Sequence, residues 1–497
     1  MKLTAAQRDR ACGALLASAA GDALGAGYEF GPPLAPDTPV DMIGGGLGAF
    51  EHDEWTDDTS MAIAIAEVAA TGADLRGEQA QDLIVERWSF WAQTAKDIGV
   101  QTSSVLSAAK QRGISARTAH DESAALHKRS GHTAGNGSLM RTAPVALAYL
   151  DDKDALVEAA RAISELTHFD PEAGDACVLW CVAICHAILT GALDARVGLN
   201  RIPVERRDLW SSRLNEAEAS QPSTFSDKNG WVVAALQAAW SAIVNTPVPM
   251  DDSESGMFRA DHLRLALEAA VRGGHDTDTV AAIAGGLLGA TYGASAVPAQ
   301  WRLMLHGWPG LDTRGLIALA DKIIDGGRPD TFDYTYGGYP EARQLVQHPY
   351  DDQLWIGGAA ALSKLPREVE AIVSLCRVED SQLPDGMTHL DVRLIDYVGE
   401  NENLDFVLLD TVRAVEQLRA EGRTVFLHCV QAQSRTPTIS ALYGARRRDV
   451  DIATALRDVS AVLPGAHPNA DFKVALGRLR PKPLEIQVVD AHRVRPK

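Results

Sequence analysis

The spacing of hydrophobic residues divides this 497-residue chain into two parts. Ala-rich amphipathic stretches with a helical period fill residues 5–325, and Gly-rich or polar loops separate them. The clearest predicted helices span 58–70, 151–166, 173–189, 231–244, 262–271 and 280–292. Alternation of β-branched residues is scarce in this part. The pattern therefore predicts a compact all-α domain of ten or more helices over 1–325.

The pattern changes after Asp325. Residues 326–350 are rich in Gly, Pro, Asp and Tyr and lack periodicity, which is typical of a linker. Short apolar runs then alternate with helical stretches. Strands are predicted at 354–356, 371–375, 388–394 and 424–428, and helices at 404–421 and 452–462. The chain is therefore expected to be multidomain, with an α/β domain over 351–497 following the all-α domain.

The composition and the net charge of the chain limit the kinds of molecule that it is expected to bind. Asp and Glu total 66 against 47 Lys and Arg, which gives a formal net charge of −19 at pH 7. Most of the acidic excess falls before residue 351. A negative protein repels phosphate backbones, so nucleic acid is not an expected partner. Six cysteines in a chain of this length do not form the disulfide pattern of a secreted protein.

The apolar segments argue against a membrane protein. No apolar stretch reaches the 18 residues needed to span a bilayer, so no membrane span or membrane partner is expected. Residues 11–20 imitate a signal peptide after Arg8 and Arg10, but Asp9 interrupts the basic region and the run continues into Gly21-Asp22. A buried first helix is the preferred interpretation. Reduced thiols and the lack of a signal predict a cytoplasmic protein.

Two predicted helix starts carry crowded carboxylates and hydroxyls, Thr56-Asp57-Asp58-Thr59 and Asp276-Thr277-Asp278-Thr279. Asp and Thr are good N-caps, and carboxylates in a first turn suit the helix dipole, so either segment alone could simply be a capped helix. Brought face to face, two pairs of adjacent carboxylates would repel each other unless a cation neutralised them. Oxygen ligands from Asp and Thr suit Mg²⁺ or Mn²⁺ rather than Zn²⁺.

The order of the motifs in residues 5–325 resembles the ADP-ribosylglycohydrolase family, the all-helical group that includes the dinitrogenase reductase-activating glycohydrolase. The motifs are Gly21-Asp22-Ala23-Leu24-Gly25 with Glu29, Thr56-Asp57-Asp58-Thr59, Gly135-Asn136-Gly137-Ser138-Leu139-Met140-Arg141, Thr167-His168, Asn229-Gly230 and Asp276-Thr277-Asp278-Thr279. The resemblance implies a centre of two Mg²⁺ (or Mn²⁺) ions. Its implied ligands are Thr56, Asp57, Asp58, Asp276, Asp278 and Thr279.

The same resemblance implies roles for residues that touch the substrate. Glu29 matches a gating or acid–base glutamate, and His168 matches a histidine near the distal ribose. The residues implied to contact the ADP-ribose are Asn136, Gly137 and Ser138. Judged alone, Glu29 could also be a surface glutamate and His168 a structural histidine. The implied substrate is an ADP-ribosylated protein or a small-molecule ADP-ribose conjugate, whose hydrolysis needs a positioned water and a proton donor.

A second candidate site lies in the α/β part. The apolar run Val425-Phe426-Leu427-His428 ends at Cys429, and Arg435 follows after five residues, just before Thr436 and Pro437 open a helix. A helix N-terminus binds an anion and favours a thiolate, and an arginine can fork onto two phosphate oxygens. The bare Cys-x₅-Arg pattern is common, and the competing interpretation is a buried strand cysteine beside an unrelated arginine.

Residues 350–480 resemble the dual-specificity branch of the protein tyrosine phosphatases. The resemblance implies Cys429 as nucleophile, Arg435 as phosphate clamp, Asp396 as general acid with Asp391 as the second candidate, and Thr436 as an aid to hydrolysis of the thiophosphate intermediate. It also implies a phosphorylated substrate. Ala432 departs from the family, which usually has Gly at this loop position. An alanine there has a cost if the backbone needs a positive φ.

The sequence therefore predicts a bifunctional hydrolase. The N-terminal domain would hydrolyse ADP-ribosyl glycosidic bonds with metal ions, and the C-terminal domain would hydrolyse phosphomonoesters with a cysteine. In the first alternative, the phosphatase-like domain binds phosphate without catalysis. A weaker alternative is a metal-dependent hydrolase that acts on free nucleotide-sugars.

Overall fold

The computed structural model describes residues 2–334, 336 and 338–479. The chain separates into two units, each with its own internal contacts. The first unit contains 2–249, 259–333 and 400–403, and the second contains 250–258, 404–479 and the described residues of 334–399. The sequence pattern placed the ends of the two domains at 325 and 351. It did not indicate the two short segments, because a local pattern does not report which distant residues a segment packs against.

The first unit is helical, as its sequence predicts. Within the described residues its helices are α1 (Ala5–Gly25), α2 (Asp57–Ala69), α3 (Glu78–Trp91), α4 (Val100–Gln111), α5 (Ala116–Ser130), α6 (Ala143–Ala148), α7 (Lys153–Glu165), α8 (Pro171–Thr190), α9 (Val204–Glu218), α10 (Val232–Asn245), α11 (Asp261–Arg272), α12 (Thr277–Tyr292), α13 (Ala299–Met304) and α14 (Thr313–Ile324). A short antiparallel pair, β1 (His306–Gly307) and β2 (Leu311–Asp312), adds two strands.

Helices α1 and α12 pack with their backbones in direct contact. A Cβ atom added to Gly285 would lie 2.1 Å from the carbonyl oxygen of Ala17, and one added to Gly21 would lie 2.2 Å from that of Ala281. Both separations are far shorter than any real Cβ contact, so glycine is required at these crossings. The close approach brings the C-terminal end of α1, with Asp22, to the first turn of α12, where a Cβ atom on Gly25 would lie 2.4 Å from Asp278.

This crossing can be tested by adding one methyl group. We expect Gly285→Ala to lower the free energy of unfolding by about 1–3 kcal/mol, because the new methyl group overlaps backbone that cannot move aside easily. Thermal or urea unfolding measures the loss. The matched control is Gly286→Ala, where the added Cβ would make ordinary van der Waals contacts, 3.5 Å to the Ile184 side chain at the nearest. That variant should be neutral or slightly stabilising, and equal losses in both would contradict the proposed contact.

Two apolar segments of the first unit are core helices. Residues 11–20 of α1 are all buried, as expected for a first helix of the fold. The expectation that no segment has the length to span a membrane is wrong for α8, which has 20 residues and an apolar composition sufficient to cross one. Glu172 and Asp175 interrupt its apolar run and hide this length in the sequence. Because 83% of its apolar window is buried inside the unit, α8 has the character of a core helix.

The second unit is an α/β fold. Its strands are β3 (Leu345–His348), β4 (Asp351–Gly358), β5 (Val369–Ser374), β6 (Thr388–Asp391) and β7 (Thr424–Cys429), and its helices are α15 (Leu404–Ala420), α16 (Arg435–Arg448), α17 (Ile452–Val462) and α18 (Ala470–Arg478). The sheet order is β3-β4-β7-β5-β6, with β3 antiparallel and the other strands parallel. The central strand β7 therefore delivers Cys429 to the carboxyl edge of the sheet.

The segment 326–350, expected to be a linker, contains an edge strand. Strand β3 pairs with β4 from Leu345, opposite Gly357, to His348. A strand of only four residues is too short to show a clear alternation of apolar and polar positions. Residues 345–348 become a strand because they pair with the longer strand β4.

Candidate active sites

The acidic motifs of α1, α2 and α12 meet in one place. Among the described residues, two groups of carboxylates have oxygen atoms within 4.8 Å of one another. One contains Asp22, Asp58 and Asp278, and the other contains Glu29, Asp276 and Asp278. Because Asp278 belongs to both groups, the two are adjacent. Of the predicted ligand set, the structure brings Asp58, Asp276 and Asp278 into these groups, whereas Asp57 lies outside them.

Side-chain capping of the helices does not explain the residues at the starts of α2 and α12. Thr56 and Asp276 stand at the N-cap positions of α2 and α12, but neither makes a side-chain capping hydrogen bond. The Thr56 hydroxyl instead donates to Asp58 Oδ2 at 3.1 Å. The Thr279 hydroxyl faces the sulfur of Met140 at 3.9 Å. The Thr56 hydroxyl is thus committed to the cluster, whereas Asp278 Oδ1 accepts from the backbone amide of Thr279 at 2.9 Å within its own helix.

Asp22 is a member of the cluster that the predicted ligand set omits. It is fully buried, and its carboxylate accepts hydrogen bonds from the backbone amides of Thr56 and Thr59, both at 2.9 Å. The hydroxyl of Thr59 also donates to it at 2.6 Å. Asp22 therefore anchors the start of α2 to α1. Asp22 belongs to the quoted motif that begins at Gly21, so the sequence did single it out. The spacing of the motifs along the chain does not show which residues Asp22 contacts.

Crowding of like charges is the main electrostatic feature of the site. Burial and the neighbouring carboxylates raise the pKa of Asp58 and of Asp278 well above the usual range. Burial, with the charges of Asp276, Asp97 and others, raises the pKa of Glu29 to about 8. Burial and the charge of Asp97 also raise the pKa of Asp57 to about 7. Burying several negative charges close together is costly. Such a cluster therefore binds either protons or a cation.

The donor set fits a divalent cation. Asp58 is 1% exposed, and its Oδ1 atom is buried without a hydrogen-bond partner. An unpartnered buried carboxylate oxygen costs free energy unless another group satisfies it. The atoms gathered here are carboxylate and hydroxyl oxygens, which suit a hard cation such as Mg²⁺ or Mn²⁺. The residues present could therefore hold a metal ion.

The loop before α6 is tied to the acidic cluster. Asn136 donates from Nδ2 to Asp276 Oδ2 at 2.7 Å and to the carbonyl oxygen of Asn229 at 2.8 Å. Asn229 in turn accepts from the backbone amide of Asp276 at 3.2 Å and donates to the carbonyl oxygen of Gly274 at 3.0 Å. The two asparagines thus hold Asp276 in position. This contact gives the predicted substrate-binding residue Asn136 a structural task as well.

Two other predicted substrate-binding residues are buried, His168 behind this loop and Ser138 within it. His168 is 2% exposed, and its Nδ1 atom lies 2.8 Å from the Thr167 hydroxyl. A Cβ atom on Gly137 would lie 3.1 Å from the imidazole ring, so the loop lies directly on His168. Ser138 accepts a hydrogen bond from the hydroxyl of Ser164 at 3.0 Å. In this arrangement His168 supports the loop from inside the unit, and the hydrogen bond from Ser164 fixes Ser138 at the end of the loop.

Arg141 is a further residue that sequence reasoning did not assign. It is fully buried, its guanidinium lies 4.0 Å from the ring centroid of Trp88, and it donates to the Thr167 hydroxyl at 2.6 Å. Burial lowers its pKa to about 9. Arg141 therefore binds Thr167, whose hydroxyl also lies 2.8 Å from His168 Nδ1. It belongs to a quoted motif, but its partners become visible only in the structure.

The second candidate site lies at the carboxyl end of β7. Cys429 ends this strand with 2% exposure, and Arg435 begins α16 after the connecting loop. Arg435 donates from Nη1 to the carbonyl oxygens of Leu375 at 3.0 Å and Leu394 at 2.8 Å. These bonds hold the guanidinium beside the loop, at the N-terminus of a helix. The strand–loop–helix context expected from the sequence is present.

The other predicted residues of this site lie around the same loop. Asp396 accepts from the hydroxyl of Ser434 at 2.7 Å, and its Oδ2 atom lies 3.7 Å from Arg435 Nε. Asp391, the second candidate for the acid, is 5% exposed and paired with Arg393 at 2.6 Å. The hydroxyl of Thr436 donates to the carbonyl oxygen of Gly357 at 3.3 Å.

Ala432 has a left-handed backbone with φ of 57° and is fully buried in the loop. A non-glycine residue in this region costs about 1–2 kcal/mol, so we expect Ala432→Gly to raise the free energy of unfolding by about 1 kcal/mol. Thermal unfolding measures the gain. The control is Ala441→Gly inside α16, where glycine should be destabilising. A loss of stability in Ala432→Gly would show that the loop does not store this strain.

The comparisons with known proteins agree with the geometry of the first unit. The chain is 33% identical over 299 residues to the ADP-ribosylarginine hydrolase Tri1 of Pseudomonas putida (strain GB-1). The aligned region covers 59% of this chain and 73% of that protein. It is 31% identical over 301 residues to the ADP-ribosyl-[dinitrogen reductase] glycohydrolase of Rhodospirillum rubrum, covering 59% of this chain and 89% of that protein.

The second unit has relatives of a different kind. A segment of 132 residues is 32% identical to the human protein phosphatase Slingshot homolog 3, covering 26% of this chain and 19% of that protein. The likeness is therefore confined to a small part of the phosphatase. The sequence model of one family, described as ADP-ribosylglycohydrolase, matches residues 3–331, which is more than half of the chain. With the buried carboxylate cluster inside that range, the chain belongs to the ADP-ribosylglycohydrolase family.

Proposed function

We propose that the first unit hydrolyses ADP-ribosyl glycosidic bonds with the help of two divalent cations, Mg²⁺ or Mn²⁺. The observation that carries this proposal is the pair of adjacent carboxylate groups that share Asp278. The family to which the chain belongs, and the activities named for its relatives in Pseudomonas putida and Rhodospirillum rubrum, support it. We propose an ADP-ribosylated protein, or a small-molecule ADP-ribose conjugate, as the substrate.

The ions would be held by the oxygen atoms of both helix starts and their neighbours. The proposed ligands are Thr56, Asp57, Asp58, Asp276, Asp278 and Thr279. Divalent cations in such a site orient ribose hydroxyls and activate a water molecule. Asp22 and Asn136 act as positioning residues, because they fix the start of α2 and the carboxylate of Asp276 respectively.

The remaining proposed roles belong to the residues around the cluster. Glu29 stands with Asp276 and Asp278 in one carboxylate group, where it is placed to exchange a proton with the leaving group or the water. The glycines of residues 135–137 let backbone amides approach an anionic pyrophosphate. His168 supports this loop from below.

A panel of ADP-ribosylated acceptors tests the proposal directly. Arginine-linked and serine-linked peptides, and a small-molecule ADP-ribose conjugate, would be incubated with the full chain in Mg²⁺, in Mn²⁺ and in EDTA. We expect release of ADP-ribose from at least one acceptor, and loss of that release in EDTA. Arginine-linked peptide is the first choice because the Pseudomonas relative is named an ADP-ribosylarginine hydrolase. Turnover that persists in EDTA would exclude the metal-dependent mechanism.

We further propose that the second unit hydrolyses phosphomonoesters. The observation that carries this proposal is Cys429 at the end of the central strand, followed after five residues by Arg435 at the start of α16. The sulfur of Cys429 would attack phosphorus as the bond to the leaving oxygen breaks, and Asp396 would protonate that oxygen. Water would then displace the sulfur and release phosphate. Arg435 would bind two phosphate oxygens throughout.

A phosphate-binding module without catalysis is the second candidate for this unit. Two observations favour it: the left-handed Ala432 in the loop, and the Thr436 hydroxyl that donates to Gly357 rather than to the thiol. Hydrolysis of p-nitrophenyl phosphate by the full chain, and its inhibition by vanadate, distinguishes the two candidates. Turnover supports the phosphatase. Binding of phosphate without turnover supports the module.

A further inference from the structure

The proposed general acid of the second unit, Asp396, is held by contacts that the roles above do not explain. It accepts two hydrogen bonds on the same oxygen, Oδ1, from the hydroxyl of Ser434 at 2.7 Å and from Nδ2 of Asn469 at 2.9 Å. Its other oxygen, Oδ2, lies 3.7 Å from Arg435 Nε. The two oxygens of this carboxyl group therefore have different surroundings.

Asn469 reaches Asp396 from the start of α18. It is the N-cap of that helix, and its Oδ1 atom accepts from the backbone amide of Phe472 at 3.1 Å. A backbone amide can only donate and an ionised carboxylate can only accept, so the orientation of the Asn469 side chain follows from both partners. One side chain thus caps α18 and donates to the acid. An aspartate would cap the helix equally well, but it could not donate to Asp396 when ionised.

Ser434 ties the acid to the loop that carries Arg435. It stands at the N-cap position of α16, but its side chain makes no capping hydrogen bond there. Its hydroxyl instead accepts from the backbone amide of Asn469 at 3.1 Å and donates to Asp396. Three segments that lie at least 35 residues apart along the chain thus meet in one closed set of hydrogen bonds.

The backbone around Asp396 is held on both sides. The carbonyl oxygen of Leu394 accepts from Arg435 Nη1 at 2.8 Å, and the backbone amide of Gly399 donates to Asp471 Oδ2 at 2.6 Å. Asp471 lies in the first turn of α18, close to the N-cap of that helix. The start of α18 therefore holds the acid loop, residues 394–399, at two points, one on the backbone and one on the carboxyl group.

A phosphate group bound by Arg435 makes these contacts necessary. The phosphate and an ionised Asp396 carry charges of the same sign and repel each other. Both are attracted to the Arg435 guanidinium, whose Nε atom is buried without a hydrogen-bond partner. The hydrogen bonds from Ser434 and Asn469 oppose this repulsion. They persist when the carboxyl group is protonated, because Oδ1 still accepts if the proton is on Oδ2.

We propose that Asn469 and Ser434 are positioning residues that direct the acidic proton of Asp396 to Oδ2, the oxygen on the side of Arg435. This assignment rests on the proposed phosphomonoester hydrolysis by the second unit. As the Cys429 sulfur bonds to phosphorus, the bond from phosphorus to the leaving oxygen breaks. That oxygen keeps the electron pair and takes the proton from Oδ2. Water then bonds to phosphorus and returns a proton to Oδ2, while the sulfur leaves with its electron pair.

Two variants of the full chain remove the contact with Asp396 and keep the helix cap. Asn469→Asp replaces the donor by a negative charge, and Asn469→Ser has a side chain one atom shorter, while both residue types are good N-caps. We expect kcat/KM for phenyl phosphate, a poor leaving group, to fall about tenfold or more, and kcat/KM for p-nitrophenyl phosphate to fall less than about threefold, because only the poor leaving group depends strongly on the acid. The affinity for vanadate should not change. Asp451→Ser is the control, because Asp451 caps α17 by accepting from the amide of Thr454 at 2.8 Å.

A double-variant cycle shows whether Asn469 acts through Asp396. In the Asp396→Asn background, Asn469→Ser should cause no further loss with phenyl phosphate, because the group that it positions is gone. Unchanged rates, equal losses on both esters, additive losses in the cycle, or the same loss in Asp451→Ser would overturn the positioning role and leave the phosphatase proposal intact. If the unaltered chain hydrolyses neither ester, the proposed phosphatase activity itself fails, and the positioning role fails with it.

Discussion

Replacing Asp278 by asparagine is expected to lower ADP-ribosyl hydrolysis about a thousandfold, which corresponds to about 4 kcal/mol of transition-state stabilisation. The reason is its place in the structure, because Asp278 is the carboxylate that both acidic groups share. An amide at this position offers a neutral oxygen where two proposed cation sites meet. The measurements are the rate of ADP-ribose release and the number of Mg²⁺ or Mn²⁺ ions bound per chain, which should fall from about two.

The stability of this variant distinguishes a lost ligand from a damaged fold. In EDTA, Asp278→Asn should unfold at the same temperature as the wild type or higher, because the amide removes one carboxylate from a crowded, buried cluster. In Mg²⁺ the wild type should gain stability and the variant should gain less. The matched control is Glu86→Gln, which makes the same kind of change at an exposed carboxylate of α3. Unchanged activity in Asp278→Asn would remove this residue from the mechanism.

Replacing Cys429 by serine is expected to abolish phosphomonoester hydrolysis, by about 10⁴-fold or more, as for the loss of other enzyme nucleophiles. A hydroxyl at the end of β7 has the size of the thiol but is a far weaker nucleophile without an adjacent base. Hydrolysis of p-nitrophenyl phosphate gives the measurement. ADP-ribosyl hydrolysis by the same protein should be unchanged, because the carboxylate cluster belongs to the other unit.

A second cysteine of the same unit provides the control. Cys376 follows strand β5 and is 3% exposed, and burial raises the pKa of its thiol far above the usual value. Cys376→Ser should therefore retain phosphatase activity. Iodoacetate should inactivate the phosphatase through Cys429, a modification that mass spectrometry of the digested protein would locate. Normal turnover in Cys429→Ser would exclude this residue as the nucleophile.

The pattern of the chain was sufficient for the fold class and for most elements of both units. Helices α2, α7 and α12 each bury enough apolar surface to leave a periodic signal, and their ends lie close to the predicted ones. The Cys-x₅-Arg site was also predictable, because its strand, loop and helix follow one another along the chain. At Ala432 the sequence predicted a cost only on the condition that the backbone has a positive φ, and the structure meets that condition with a φ of 57°.

The tertiary structure decided how the acidic site is assembled. Asp22 joins Asp58 and Asp278 only because glycines let α1 and α12 approach backbone to backbone. Asn136 holds Asp276 across 140 residues of sequence, a contact that no local spacing reveals.

Thr56 and Asp276 illustrate the limit of the sequence in the same way. Both look like helix caps along the chain, but neither caps its helix through its side chain. Hydrophobic periodicity reports that one face of an element is buried. Which element packs against that face depends on packing between elements that are far apart in the chain. The same packing therefore decides which groups surround each buried carboxylate.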